Sequence, residues 1–187
     1  MNILILGSGG REHALTWKLA RSEKTGKIFI APGNSGTSLE GKNVKLDPGD
    51  FNQVAEFALR EEVGMVIVGP EAPLVNGIHD YFLKNNKYSS IPVVGPVKAA
   101  AMLEGSKDFA KDFMQRYAIP TAKYRSFTGD SFDEACDYLK NMSKPYVLKA
   151  DGLAAGKGVL ILDNYREAVD ELQKMFSGKF GDAGSRV

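Results

Sequence analysis

The residues of this sequence whose types and spacing could carry chemistry sit in short glycine-bearing loops, each placed directly after an apolar run. The first is GSGGREHA, residues 7–14, which follows NILIL. Glycines let a backbone approach a ligand closely. The helix expected from Arg11 would add free N–H groups and the positive end of a dipole, a combination that suits a phosphate. The same glycines would also serve a tight turn with no ligand. They do not complete a dinucleotide fingerprint, because G-x-G-x-x-G needs its third glycine where Glu12 stands. FIAPG also offers Ala31 and Pro32 where a ribose-binding acid would close the second strand, so a nicotinamide-dependent oxidoreductase is disfavoured. PGNSG, residues 32–36, is a second loop of this kind. GPEAPLV, residues 69–75, sets Glu71 between two prolines, where its carboxylate could hold sugar hydroxyls or an amine.

A different pattern appears in YVLKADGLAAGKGVLIL, residues 146–162. Strand alternation puts Val147 and Lys149 on one face and Tyr146, Leu148 and Ala150 on the other. A lysine in mid-strand among apolar residues is costly unless it meets an anion. The connecting loop comes close to a phosphate-binding P-loop and misses it. Three residues separate Gly152 from Gly156 where the motif has four, and Lys157 precedes Gly158 and a strand, not Ser or Thr and a helix. A glycine loop on a hairpin can still offer backbone donors and a lysine to a triphosphate, or be an exposed hairpin tip. His13 and His79 have no cysteine partners nearby in sequence, which argues against zinc. Ser8 lacks the G-x-S-x-G setting of a hydrolase nucleophile, since Leu6 stands in the first glycine's place.

The elements that must position these loops are legible from periodicity. Short, almost unbroken apolar runs at Asn2–Leu6, Lys27–Ala31, Met65–Val68 and Ile91–Val94 read as strands covered on both faces. Helical spacing marks 11–21, 51–63, 75–86 and 106–117. This alternation predicts a doubly wound parallel α/β sheet, Rossmann-like, with its ligand loops on one edge. Past Pro120 the order changes to a strand near Tyr124, a helix over 132–141, two strands joined as a hairpin, and a helix over 165–176. The expectation is therefore an α/β domain over residues 1–120 and a small α+β unit over 121–187. The ending GDAGSRV shows no closing cap and reads as a cut.

Composition narrows the classes. At 43% hydrophobic and 25% charged the chain can bury a core. A net charge of +1, from 24 basic and 23 acidic residues, implies no nucleic-acid partner. Cys136 is the single cysteine, which fits a reducing cytoplasm. No run approaches the length of a membrane span, and the start does not read as a secretory signal.

GSGGREHA, APGNSGT, VGPEAPLV, LEGSK, IPTA and KADGLAAGKGV, in this order, resemble the amino-terminal part of the glycinamide ribonucleotide synthetase family of ATP-grasp enzymes. The resemblance implies a pre-ATP-grasp domain followed by an ATP-grasp lid. It implies ATP- and Mg²⁺-dependent ligation of glycine to 5-phosphoribosylamine through a glycyl phosphate, in purine biosynthesis, by a cytoplasmic enzyme expected as a monomer. Gly7, Gly9, Gly10, Arg11, Glu12, Gly33, Asn34 and Glu71 would then line the phosphoribosylamine pocket. Lys107, Lys149, Gly156, Lys157 and Gly158 would meet ATP. The metal ligands, and much of the glycine site, would lie downstream of Val187, so that no catalytic or metal residue is assigned here and the 187 residues alone are expected to be inactive. The alternative from a different class is a stand-alone module that binds a phosphosugar or nucleotide without chemistry.

Overall fold

The computed structural model describes residues 1–153 and 157–187. The chain divides into two compact units, Met1–Ala101 and Met102–Val187.

The first unit is built on β1 (Asn2–Gly7), which is apolar on both sides. It is followed by α1 (Gly10–Leu19), β2 (Ile28–Pro32), β3 (Lys42–Asn43), α2 (Phe51–Arg60), β4 (Val63–Val68), α3 (Glu71–Asn76), α4 (Ile78–Lys84) and β5 (Val93–Val94), and the helix α5 (Lys98–Gly105) spans the division between the units. The sheet order is β3-β2-β1-β4-β5 and every pairing is parallel. The two-residue alternation of a strand sorts β1 between two cores. Ile3 and Ile5 join Ile28 and Ile30 under Leu15 and Leu19 of α1. Leu4 and Leu6 join Phe29, Val54, Phe57, Ile78 and Phe82 on the other face. A strand buried on both faces has no room for polar residues, which is why these runs are unbroken. Because the strands are parallel, the loops after β1, β2, β4 and β5 share one edge of the sheet.

Three departures from the sequence reading occur here. The helix expected over 75–86 is two helices, divided at Gly77. That residue takes a left-handed φ of 100° and gives its N–H to the carbonyls of Pro73 and Leu74. The strand β3 and the helix α5 were not anticipated; β3 has only two residues, too few to show a period.

The second unit holds α6 (Lys107–Arg116), α7 (Phe132–Lys140), β6 (Tyr146–Lys149), β7 (Val159–Leu162) and α8 (Tyr165–Lys174). The two strands form the expected antiparallel hairpin, with Lys149 opposite Val159 and Val147 opposite Ile161. Leu148 and Ala150 turn inward against Ala168, Leu172 and Met175, while Val147, Lys149, Val159 and Ile161 face outward. No strand forms near Tyr124. Side chains of α6 hold that segment instead: Lys111 Nζ donates to Thr121 Oγ1 at 2.7 Å and to the Ala122 carbonyl at 3.0 Å, and the Tyr124 hydroxyl donates to Asp112 at 2.8 Å. Among the described residues no helix is long and apolar enough to cross a membrane.

The sequence reading draws its line at Pro120, whereas the compact units divide within α5, between Ala101 and Met102, and α6 falls in the second. The tie that carries α6 into the second unit is Asp151. Its carboxylate accepts from the N–H of Lys107 at 2.6 Å, the N–H of Asp108 at 3.3 Å and the Ser106 hydroxyl at 3.1 Å. Asp151→Ala should therefore lower stability by about 2 kcal/mol, as expected for a lost charged cap. Asp137→Ala, which removes only an exposed pair with Lys140, should cost less than about 0.5 kcal/mol. Urea titration of both variants followed by circular dichroism checks the contrast.

Candidate functional site

At the sheet edge of the first unit, three loops interlock. β1 ends at Gly7, whose φ of 121° sends the chain into the turn before α1. The Gly7 carbonyl accepts from Gly33 N–H at 3.1 Å, which joins the first loop to the second. Asn34 strengthens the join, its amide donating to the carbonyls of Ser8 at 2.8 Å and Gly9 at 3.3 Å. The Asn34 side-chain oxygen accepts from the N–H groups of Gly36 and Thr37, so one side chain shapes both loops. Behind it, the fully buried Thr37 accepts from Asn34 N–H at 2.7 Å and its hydroxyl reaches Asn43 Oδ1, also at 2.7 Å. The Asn43 amide returns to the Asn34 carbonyl at 2.7 Å. Sequence reasoning missed Thr37 and Asn43. The N-x-x-T spacing of a side-chain-capped turn was the available signal for the first; the second had none.

The third loop is tied in by Gly69 N–H, which donates to the Leu6 carbonyl at 3.0 Å, and by Arg11, whose guanidinium donates to the Gly69 carbonyl. Glu12 does not project from the loop: it is buried, and its Oε2 accepts from Gly9 N–H at 2.5 Å. The N–H groups of Gly10 and Arg11, at the opening of the ten-residue α1, meet no acceptor among the described residues. Glu71, half-buried at the start of α3, likewise has no hydrogen-bond partner among them. The structure thus brings Gly7, Gly9, Gly10, Arg11, Glu12, Gly33, Asn34 and Glu71 to one edge, and spends Asn34 and Glu12 on shaping it.

In the second unit, a cavity of about 330 Å³ is lined by Lys107, Lys111, Lys123, Arg125, Lys149 and Arg186 and by the carboxylates of Asp108 and Asp151, with Phe127, Tyr138, Leu139, Leu148 and Leu172 among its apolar walls. Lys149 stands on the exposed face of β6 with no ion pair among the described residues. Lys107 is tethered, donating to the Gly152 carbonyl at 2.9 Å. Lys111, which sequence reasoning missed, lies one helical turn from Lys107. Burial, and then the charge of Lys149, hold its ammonium below the ordinary lysine value. Lys157 is exposed and is not among the residues lining this cavity. Gly158 is buried and its carbonyl accepts from Ala150 N–H at 2.8 Å, closing the hairpin. Gly156 lies outside the described residues. Such an arrangement can hold a flat apolar group together with a polyanion.

A family model described as phosphoribosylglycinamide synthetase, N domain, matches residues 1–104, and one described as the ATP-grasp (A) domain of the same synthetase matches residues 105–187. The chain belongs to the phosphoribosylglycinamide synthetase family. Among members of the family, a phosphoribosylamine–glycine ligase of Haemophilus influenzae is 52% identical over the whole chain, which spans 43% of that relative's length. The crystal structure of a phosphoribosylamine–glycine ligase from Thermotoga maritima superposes with a TM-score of 0.76 at 34% identity, over 100% of this chain and 42% of that one. The biotin carboxylase domain of Hydrogenobacter thermophilus 2-oxoglutarate carboxylase, solved with MgADP, shares the fold with a TM-score of 0.71 at 19% identity, over 97% of this chain and 42% of that one.

One wall of the cavity can be read by titration. Hydrogen bonding to Asp112, then burial and the charges of Asp112 and Asp108, push the Tyr124 phenol up to about 12. The folded state therefore favours the neutral phenol, and this contribution to stability is present below the ordinary value of 10.0 and lost as pH rises toward 12. Ultraviolet titration should show one tyrosine ionising near pH 12. Asp112→Asn should return it toward the ordinary value, and Tyr124→Phe should remove it.

Proposed function

We propose that this chain forms part of an ATP-dependent ligase that joins glycine to 5-phosphoribosylamine and releases glycinamide ribonucleotide, ADP and phosphate. The carrying observation is the pair of unlike sites on one family member. One is an edge of interlocked glycine loops, with N–H groups at the start of α1 that meet no acceptor among the described residues. The other is a cavity that gathers Lys107 and Lys149 over apolar walls. The first unit is read as a Rossmann-like, pre-ATP-grasp domain. Its strand order turns back at β1 and β4, and ligands of such sheets collect beside that point at the carboxyl ends of the strands. The sugar phosphate would meet Gly9, Gly10 and Arg11, with Gly33 and Asn34 fixing the wall and Glu71 facing hydroxyls or the amine. The second unit is read as the ATP-grasp lid, with Lys107 and Lys149 on the polyphosphate, and Gly156, Lys157 and Gly158 in the lid's glycine loop.

In the reaction so read, a carboxylate oxygen of glycine attacks the γ-phosphorus of ATP and ADP leaves. The amine of phosphoribosylamine then attacks the acyl carbon, expelling phosphate and losing a proton. Lysines suit the first step because it depends on placing two anions together and neutralising their charge. Mg²⁺ would supply further neutralisation when bound. Among the described residues, however, no three His, Cys, Asp or Glu side chains come together to hold a metal ion.

Gly9→Asp should abolish binding of ribose 5-phosphate by the 187-residue chain, because it adds bulk and negative charge where the backbone must meet a dianion. Calorimetry showing unchanged binding in a folded variant would leave the loop as a turn only. Lys149→Met keeps the stem and deletes the charge, and should weaken ATP binding by about 1.5–3 kcal/mol, the range of a charged hydrogen bond. Equilibrium titration with ATP checks it, and an unchanged affinity would mean that Lys149 serves only solvent.

A further inference from the structure

Glu12 stands where a dinucleotide loop carries its third glycine, and its side chain is folded into the loop it interrupts. It is 5% exposed, with Oε2 2.5 Å from Gly9 N. Its carboxylate lies against bare backbone on several sides. A Cβ added to Gly7 would fall 2.7 Å from the Glu12 Cδ, one on Gly9 would fall 3.0 Å from Oε2, and one on Gly69 would overlap Oε1. Glycines from two strand ends and the loop between β1 and α1 are thus shaped around one acidic side chain. A cap for α1 would need only an acceptor, which an uncharged residue can supply. What the arrangement adds is a fixed negative charge inside a loop that otherwise offers donors.

That charge occupies one of the loop's donor positions. Gly9 N–H is taken, while the N–H groups of Gly10 and Arg11 meet no acceptor among the described residues. A loop that binds a dinucleotide spreads its donors over two bridged phosphates. A second phosphate needs a donor of its own, and the adjacent one, Gly9 N–H, is already held by the Glu12 carboxylate, so an anion seeking it meets a like charge. We propose that Glu12 is a specificity-determining residue, a built-in anion that restricts the first loop to a phosphomonoester and rejects diphosphate-bridged ligands. Rejection comes from a repulsive element placed in the site, not from a missing contact. The inference rests on reading this loop as the sugar-phosphate site and names the feature that sets its ligand class.

The test compares ribose 5-phosphate with ADP-ribose by calorimetry, both in saturating ATP so that the nucleotide cavity of the second unit is occupied, on the 187-residue chain and on Glu12→Gln and Glu12→Asp variants, each checked for folding by its thermal melt. Gln keeps an acceptor for Gly9 and loses the charge, whereas Asp keeps the charge and shortens its reach. The readout is the ratio of the two affinities, which a loosened loop would not change. Glu12→Gln should shift that ratio toward ADP-ribose by about tenfold, the scale of one charge contact. Glu12→Asp should leave the ratio within about threefold even where both affinities fall, since the charge remains. Equal losses for both ligands in Gln, or an Asp variant that accepts ADP-ribose as readily as Gln, would overturn the proposal. Should Gln fail to fold, the Asp variant and the unmodified chain still decide it, because ADP-ribose bound as tightly as ribose 5-phosphate by either refutes the role of the charge. Failure of the unmodified chain to bind ribose 5-phosphate would remove this proposal together with the phosphate reading, whereas binding with an unshifted ratio would remove this proposal alone.

Discussion

A carboxylate set against the first N–H groups of a helix is the interaction on which both units of the molecule depend. In the first unit it is Glu12, which reaches back to Gly9 and holds the turn between β1 and α1. In the second it is Asp151, which leaves the hairpin to cap α6 through Lys107 and Asp108. The physical need is the same in both. The opening N–H groups of a helix have no partner within it, and a carboxylate withdrawn from water needs donors. Each therefore answers the other's requirement. One is local, three residues from its partner. The other spans more than forty residues and determines which part of the chain α6 belongs to.

The loops of the first unit show how little freedom remains once that turn is set. Asn34, Thr37 and Asn43 form a closed circuit of hydrogen bonds, and Gly33 and Asn34 tie it to the carbonyls of Gly7, Ser8 and Gly9. Such a circuit costs conformational entropy to assemble but leaves backbone donors fixed in place for a ligand. In the second unit the polar groups are treated differently. Lys149 and Lys111 line one cavity together with Asp108 and Asp151, and burial, then the charge of Lys149, holds the Lys111 ammonium below the ordinary lysine value.

Periodicity was enough to read the strands of the first unit, because each is buried on both faces and leaves an unbroken apolar signature. It was enough for the hairpin too, where alternation sorted Leu148 from Lys149. It could not show β3, which is shorter than any period, nor the break at Gly77, where a left-handed residue interrupts a run that still looks amphipathic. The segment around Tyr124 has strand-like composition and forms no strand, since side chains of α6 take up its polar groups. At the site, glycines and lysines were legible because their types are unusual in those positions. Thr37, Asn43 and Lys111 were not, because their roles arise from partners that the fold brings together. Glu12 reads from sequence as a missing glycine and as a residue of the sugar pocket; the inward turn of its side chain depends on Gly69, far away in sequence.

That dependence also constrains how the sequence can change. Gly69 has no room for a Cβ while Glu12 is in place, and Gly7 and Gly9 are nearly as restricted. Shortening Glu12 first would leave a void and an unpaired Gly9 N–H, after which side chains at the glycines become tolerable. Enlarging a glycine first meets the carboxylate directly. The order of substitutions therefore decides which routes are passable. A lineage that has lost the long acid can drift at position 69 and, once it has, cannot easily regain it. The two positions should be inherited as a pair, although fifty-six residues of chain lie between them.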